Sequence, residues 1–133
     1  MWKIKNAEYA DHIRVHRGLY YHHGIYANDN CVYHFAAPEG SEISEENAIV
    51  CVTTLEKFLN GGLLEVREYT EEELQYKKCP DEIIAYAKDH LGEMGYNLIS
   101  NNCEHFANRC VMGKSESNQV QDIFNFIMGV LNK

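Results

Sequence analysis

Between residues 11 and 35 the side chains alternate with a period of two, and a single cluster of turn formers, Asn28, Asp29 and Asn30, interrupts them. Ile13 and Val15 alternate with polar neighbours, and the runs 20–26 and 31–35 are rich in aromatic and β-branched residues. A strand followed by a hairpin is therefore expected. This stretch also carries His12, His16, His22, His23 and His34, five of the seven histidines, so the imidazoles of this chain belong mainly to a sheet. Which of them share a face depends on register, because a slip of one residue turns a strand over. A three-residue loop at 27–29 would pair Tyr26 with Asn30 and set His22 across from His34. A two-residue loop at Asn28 and Asp29 would set His23 there instead. Spacing alone leaves both registers open.

Beyond the hairpin, Pro38, Glu39, Gly40 and Ser41 open an acidic loop. A β-rich run at 48–53, a short helix at 54–59 stopped by Gly61 and Gly62, and a strand at 63–69 follow. Pro80 begins a helix over 80–91, in which Ile83, Ala87 and Leu91 have helical spacing. Another helix runs from Asn101 toward Val111 and ends near Gly113, and an apolar stretch at about 120–131 suits a last one. With 133 residues there is room for one core. The expected class is α+β, a single domain over 1–133 with its core at about 11–120.

The formal charge of −8, from 20 acidic and 12 basic residues, opposes attraction to phosphate backbones and makes nucleic acid an unsuitable partner. Residues 1–10 lack the apolar run of a secretory signal, and no stretch has the roughly 20 apolar residues that span a bilayer. The five cysteines, Cys31, Cys51, Cys79, Cys103 and Cys110, show no CxxC pairing and suit a reducing compartment. A cytoplasmic location is expected, with membrane association open through the last helix.

Cys103 stands apart from the other four. With Asn101 as N-cap, Glu104 falls at a capping-box position and Cys103 lies in the first helical turn. There the free backbone N–H groups and the helix dipole favour thiolate, below the usual thiol value of about 8.5. At about 100° per residue Phe106, Ala107, Cys110 and Val111 share its face, so the sulfur is aimed at the sheet, whereas His105 is turned away. The base must then be a sheet histidine. Read alone, this run fits a core cysteine equally well. A zinc site from His22, His34 and Cys103 has no standard ligand spacing, and neither metal nor cofactor is expected.

The segments Asp11-His12-Ile13, His22-His23-Gly24-Ile25-Tyr26, Val32-Tyr33-His34-Phe35, Gly95-Tyr96-Asn97-Leu98 and Asn101-Asn102-Cys103-Glu104-His105-Phe106 resemble, in order, the motifs of the lecithin:retinol acyltransferase-like family. Phe58-Leu59 and Gly61-Gly62-Leu63-Leu64-Glu65-Val66 fit it as well, and the likeness covers about residues 11–120. The resemblance implies a circularly permuted papain-like fold, in which an antiparallel sheet bearing the histidines packs on a helix bearing the nucleophile. It also implies Cys103 as nucleophile, His22 as base and His34 as the third polar residue. His23 falls on a position that varies in the family and is often aromatic.

The implied activity is that of a thiol-dependent acyltransferase or acyl hydrolase working through a Cys103 thioester, with an acyl donor such as a phospholipid. Two alternatives remain: a papain-like peptide or isopeptide hydrolase, and a non-catalytic interaction domain of the same fold. Tyr20 or Tyr21 could donate to an oxyanion, although a packing role suits their strand position better. Ile123, Phe124, Phe126, Ile127, Val130 and Leu131 could lie in a bilayer interface or pack on protein.

Overall fold

The computed structural model describes residues 1–113; the apolar segment expected to form a last helix lies outside them. Among the described residues six strands form one antiparallel sheet: β1 (Trp2–Ile4), β2 (Asp11–Arg17), β3 (Tyr20–Asn28), β4 (Cys31–Ala36), β5 (Ile49–Thr53) and β6 (Glu65–Arg67), in the order β1-β6-β2-β3-β4-β5. The helices are α1 (Leu55–Leu59), α2 (Glu71–Leu74), α3 (Pro80–Asp89) and α4 (Cys103–Met112). The architecture is the α+β arrangement expected. Two elements were not anticipated. β1 has three residues and is strand only because β6 pairs with it, Trp2 opposite Arg67. α2 is one turn closed by a capping box between Thr70 and Glu73.

The hairpin adopts neither expected register. Gly24 pairs with His34 and Tyr26 with Val32, a bulge follows, and Asn28 pairs with Cys31, so the loop is Asp29 and Asn30. The local cause is the Asn28 side chain, which accepts the Asn30 backbone N–H at 2.9 Å and moves the turn one residue along. His22 is thus two residues beyond the partner of His34, on the same face, and not directly opposite it.

Alternation divides the sheet into two cores. Ile25, Tyr33, Phe35 and Val50 lie under α3 and α4 with Phe106, Ala107, Cys110, Val111, Ile83 and Ala87. Ile13, Val15, Val32 and Val66 lie on the opposite face against Phe58 of α1. The short α1 holds because Thr54 caps it, accepting the Lys57 N–H at 3.2 Å, and because Phe58 is fully buried. Fully burying one such side chain contributes about 1.5–3 kcal/mol.

Gly24 is where the second core meets the hairpin. A Cβ there would stand 2.8 Å from Phe58 Cε2 and 3.0 Å from Val32 Cγ1 and the Tyr33 carbonyl oxygen. Phe58 also lies against both hairpin histidines, 5.0 Å from the His22 ring and 6.1 Å from that of His34. Gly24→Ala should therefore cost about 1–3 kcal/mol, the range for overpacking a core, and a thermal melt with a structure of the variant would show Phe58 displaced from the two rings. Unchanged stability would mean that α1 yields freely.

Candidate active site

β3 and β4 are paired only from Gly24–His34 to Asn28–Cys31, whereas β4 stays with β5 as far as Ala36–Ile49 and β3 stays with β2 as far as Tyr20–Arg17. The sheet thus splits beyond Gly24, and β3 has a free edge there. The Ala10 N–H donates to the Tyr26 carbonyl at 2.7 Å, on the β2 side. By alternation the backbone groups of Tyr21 and His23 point the other way, into the split.

The start of α4 enters this gap. Its N-cap is Asn102, whose side chain accepts the His105 N–H at 3.0 Å and donates to the Leu98 carbonyl at 2.8 Å, while His105 Nδ1 accepts the Asn102 N–H at 3.1 Å. The capping box is one residue later than expected, because Asn101 is engaged in a two-way backbone bridge with Asn97. Cys103 is the first helical residue, and His105 is tied into the cap, turned from the sulfur as its helical phase predicts. The Cys103 thiol lies 3.9 Å from the Tyr21 carbonyl oxygen, and the backbone N–H groups of His23, Glu104 and Cys103 itself point at the sulfur.

His22 Nε2 lies 2.9 Å from His34 Nδ1, and both rings are buried. These rings occupy the α1 face, not the face that α4 covers, since parity gives the α4 face to His23 and Ile25. The expectation that both histidines face the sulfur across the sheet is corrected accordingly. Cys103 reaches β3 edge-on, against the backbone on either side of His22, and among the described residues the hydrogen bond to its sulfur is made with that backbone.

The electrostatics also differ from the expected first-turn thiolate. Burial pushes the Cys103 thiol up to about 11, with Glu104 adding to the rise, and the three backbone N–H groups only partly offset it. At 4% exposed, Cys103 loses more hydration as a thiolate than the helix terminus returns. His22 is held well below its usual value by burial and then by His34 and Arg17, and His34 is lowered to about 4 by burial and Arg17. At neutral pH Cys103 is thus a protonated thiol and His22 a neutral imidazole.

Tyr96, in the loop before α4, was not singled out as a site residue. Its ring packs edge-on against Phe35 at 5.1 Å, and burial, followed by the nearby Cys103, pushes its hydroxyl above the usual range. Only its place in the motif Gly95-Tyr96-Asn97-Leu98 could have indicated it. Tyr20 and Tyr21 are 55% and 39% exposed, and Tyr21 packs against the Arg14 guanidinium at 3.7 Å. Among the described residues no group of three or more His, Cys, Asp or Glu is arranged to hold a metal ion.

Four buried histidines, His12, His22, His23 and His34, have folded-state values below 6.5, as low as about 4 for His34 and about 3 for His23. The unfolded chain therefore binds protons more readily. Stability is complete above about pH 6.5 and falls as acid is added, by about 1.4 kcal/mol per pH unit for each histidine until its folded value is reached. Unfolding between pH 6 and 4, followed by circular dichroism with proton uptake, should take up about four protons. A flat stability profile down to pH 4 would show that the rings are charged or exposed.

A family model for lecithin retinol acyltransferase matches residues 5–116. The chain is 32% identical over 122 residues to phospholipase A and acyltransferase 5 of Rattus norvegicus, covering 86% of this chain and 42% of that protein. It is 32% identical over 122 residues to phospholipase A and acyltransferase 4 of Homo sapiens, covering 84% of this chain and 74% of the other. With phospholipase A and acyltransferase 3 of Mus musculus it shares 35% over 126 residues, covering 85% and 75%. The chain thus spans less than half the length of the first relative and about three quarters of the other two. On a match that extends over most of its length, this chain belongs to the lecithin retinol acyltransferase family.

Proposed function

We propose that the chain is a thiol-dependent acyltransferase or acyl hydrolase in which Cys103 is the nucleophile, His22 the base and His34 the residue that orients it. One observation carries this reading: the Cys103 sulfur rests on the backbone that flanks His22, while the far side of the His22 ring is held by His34. With His22 Nε2 donating to His34 Nδ1, the other ring nitrogen, Nδ1, is left as the acceptor for the thiol proton. The split antiparallel sheet that receives the start of a helix supports reading the fold as a permuted papain-like one.

In the mechanism proposed, His22 takes the thiol proton as the sulfur attacks an acyl carbonyl. Deprotonation accompanies attack, because burial disfavours a free thiolate at rest. The backbone N–H groups at the start of α4, with the Tyr96 hydroxyl, are proposed as donors to the oxyanion. Collapse expels the leaving alcohol or amine, which takes the proton from His22, and leaves an acyl thioester on Cys103. Water or an acceptor then attacks the thioester, giving its proton to His22, and the thiol is restored.

The names of the relatives, phospholipase A and acyltransferase, support a phospholipid as acyl donor over a peptide. Among the described residues no helix is long and apolar enough to cross a membrane. Contact with a bilayer is assigned to the apolar residues 123–131, and a cytoplasmic location to the five unpaired thiols. Flotation with phosphatidylcholine liposomes should be strong for the full chain and weak for one ending at Gln119; equal flotation would remove the membrane contact.

Incubation with a panel of phospholipids, followed by peptide mass spectrometry, should add one acyl mass to the peptide containing Cys103. Cys103→Ala should lack both adduct and turnover. His22→Ala should lose about 10²–10⁴-fold in kcat/KM, the usual contribution of a general base, and His34→Gln less. Wild-type turnover in Cys103→Ala would reject the thiol mechanism and leave the interaction-domain reading. A Cys103 adduct with peptide esters alone would instead favour the peptidase.

A further inference from the structure

On the α4 face of the sheet, away from the His22–His34 pair, a second pair of imidazoles is buried. His12 Nε2 lies 2.8 Å from His23 Nδ1. The Arg67 guanidinium approaches His12 Nδ1 at 3.3 Å, donates to Asn108 Oδ1 at 2.8 Å and Glu73 Oε2 at 2.8 Å, and lies over the Tyr69 ring at 4.7 Å. At the opposite end His23 Nε2 lies 3.5 Å from Glu104 Oε2. Glu104 follows Cys103 in the chain.

Arginine settles the direction of this line, because a guanidinium has only donors and keeps its proton. Since Arg67 donates to His12 Nδ1, the His12 proton is on Nε2, and Nε2 donates to His23 Nδ1. The His23 proton is then on Nε2, next to the Glu104 carboxylate. Both rings must be neutral for the line to hold. Burial, with the guanidinium charges of Arg14 and Arg67, lowers His23 to about 3 despite the carboxylate beside it, and His12 is held well below its usual value by burial, His23 and the same two arginines.

We infer that Arg67, His12 and His23 form a one-way relay of hydrogen bonds whose last proton, on His23 Nε2, faces the Glu104 carboxylate at 3.5 Å and shields it electrostatically from the Cys103 sulfur. His12 and His23 are thus positioning residues, acting through Glu104 and through the His23 peptide. The inference rests on Cys103 being the nucleophile proposed above. A carboxylate next to a buried thiol opposes formation of the thiolate, and Glu104 does so here. A donor on His23 Nε2 draws that charge toward the sheet. The same side chain, clamped from two sides, fixes the His23 backbone N–H that points at the sulfur. The titratable residues next to Cys103 include Tyr21 and His23 from β3, Tyr96 from the preceding loop and Glu104 from α4. Of these, Glu104 is the carboxylate, and the relay faces it.

The test reads the thiol itself and requires no substrate. Iodoacetamide alkylation of Cys103 in the full chain is followed by mass spectrometry between pH 7 and 9, below the thiol pKa. There the thiolate fraction changes about tenfold for each unit by which that pKa moves, and the rate follows in the same direction. His12→Leu interrupts the relay and should slow alkylation about tenfold. His12→Gln accepts from Arg67 and donates to His23, and should stay within about threefold of wild type. Glu104→Gln should speed alkylation about twofold in the wild-type background and about tenfold in His12→Leu, because only there is the charge unshielded. Equal effects of Glu104→Gln in both backgrounds would overturn the relay. If His12→Leu does not fold, nitrogen-15 NMR of the wild-type protein gives the decision. His12 and His23 should both be neutral Nε2–H tautomers from pH 5 to 8, and an Nδ1–H tautomer at either would overturn it. Failure of these results beside a Cys103 acyl adduct removes the relay alone, whereas normal relay behaviour without an adduct removes the function proposed.

Discussion

The docking of the first turn of α4 into the split between β3 and β4 is the contact on which the rest of this structure depends. Tyr21 and His23 have backbone groups with no strand partner on that side, and α4 offers free N–H groups and the Cys103 sulfur at its start. An unpaired strand edge and an uncapped helix start are each costly when buried. Brought together around one polarizable sulfur, they reduce each other's cost. Asn102 and His105 close the remaining donors with a reciprocal cap. The geometry of the site thus follows from satisfying backbone groups.

Two pairs of histidines also coexist on the neighbouring strands β2, β3 and β4 without merging. The α4 face receives His12 and His23, joined to Arg67, and the α1 face receives His22 and His34, packed on Phe58. Adjacent residues on β3 project to opposite sides, so His22 and His23 meet different chemistry despite their sequence proximity. Gly24 has no side chain because Phe58 occupies the space beside it. Cys103 touches the strand between the two pairs, at its edge.

Burial dominates the electrostatics. It keeps the thiol protonated and the imidazoles neutral, against the pull of the helix terminus and the backbone donors. A neutral imidazole is the form that accepts a proton, and a protonated thiol resists adventitious oxidation and alkylation. Under the mechanism proposed above, reactivity is thereby reserved for a bound acyl group.

The sequence by itself determined the elements with strong periodicity or caps. The period-two run at 11–35, Pro80 at the start of α3, Gly113 after α4 and the approximate helix at Cys103 were all legible, because local sterics and backbone hydrogen bonding set them. The likeness of its motifs also led to the family. What only the tertiary structure decided is where those pieces meet. The bulge that sets the β3–β4 register arises from one Asn28 hydrogen bond, β1 exists only as a partner of β6, and the cap moved to Asn102 because Asn97 engaged Asn101. The sulfur is edge-on to His22, and the thiol is raised by burial, because faces and desolvation depend on what packs from elsewhere in the chain. Arg67 is 55 residues from His12 and 41 from Asn108 in sequence. No local pattern links residues so far apart, since their contact follows from sheet order and from the helix laid across it.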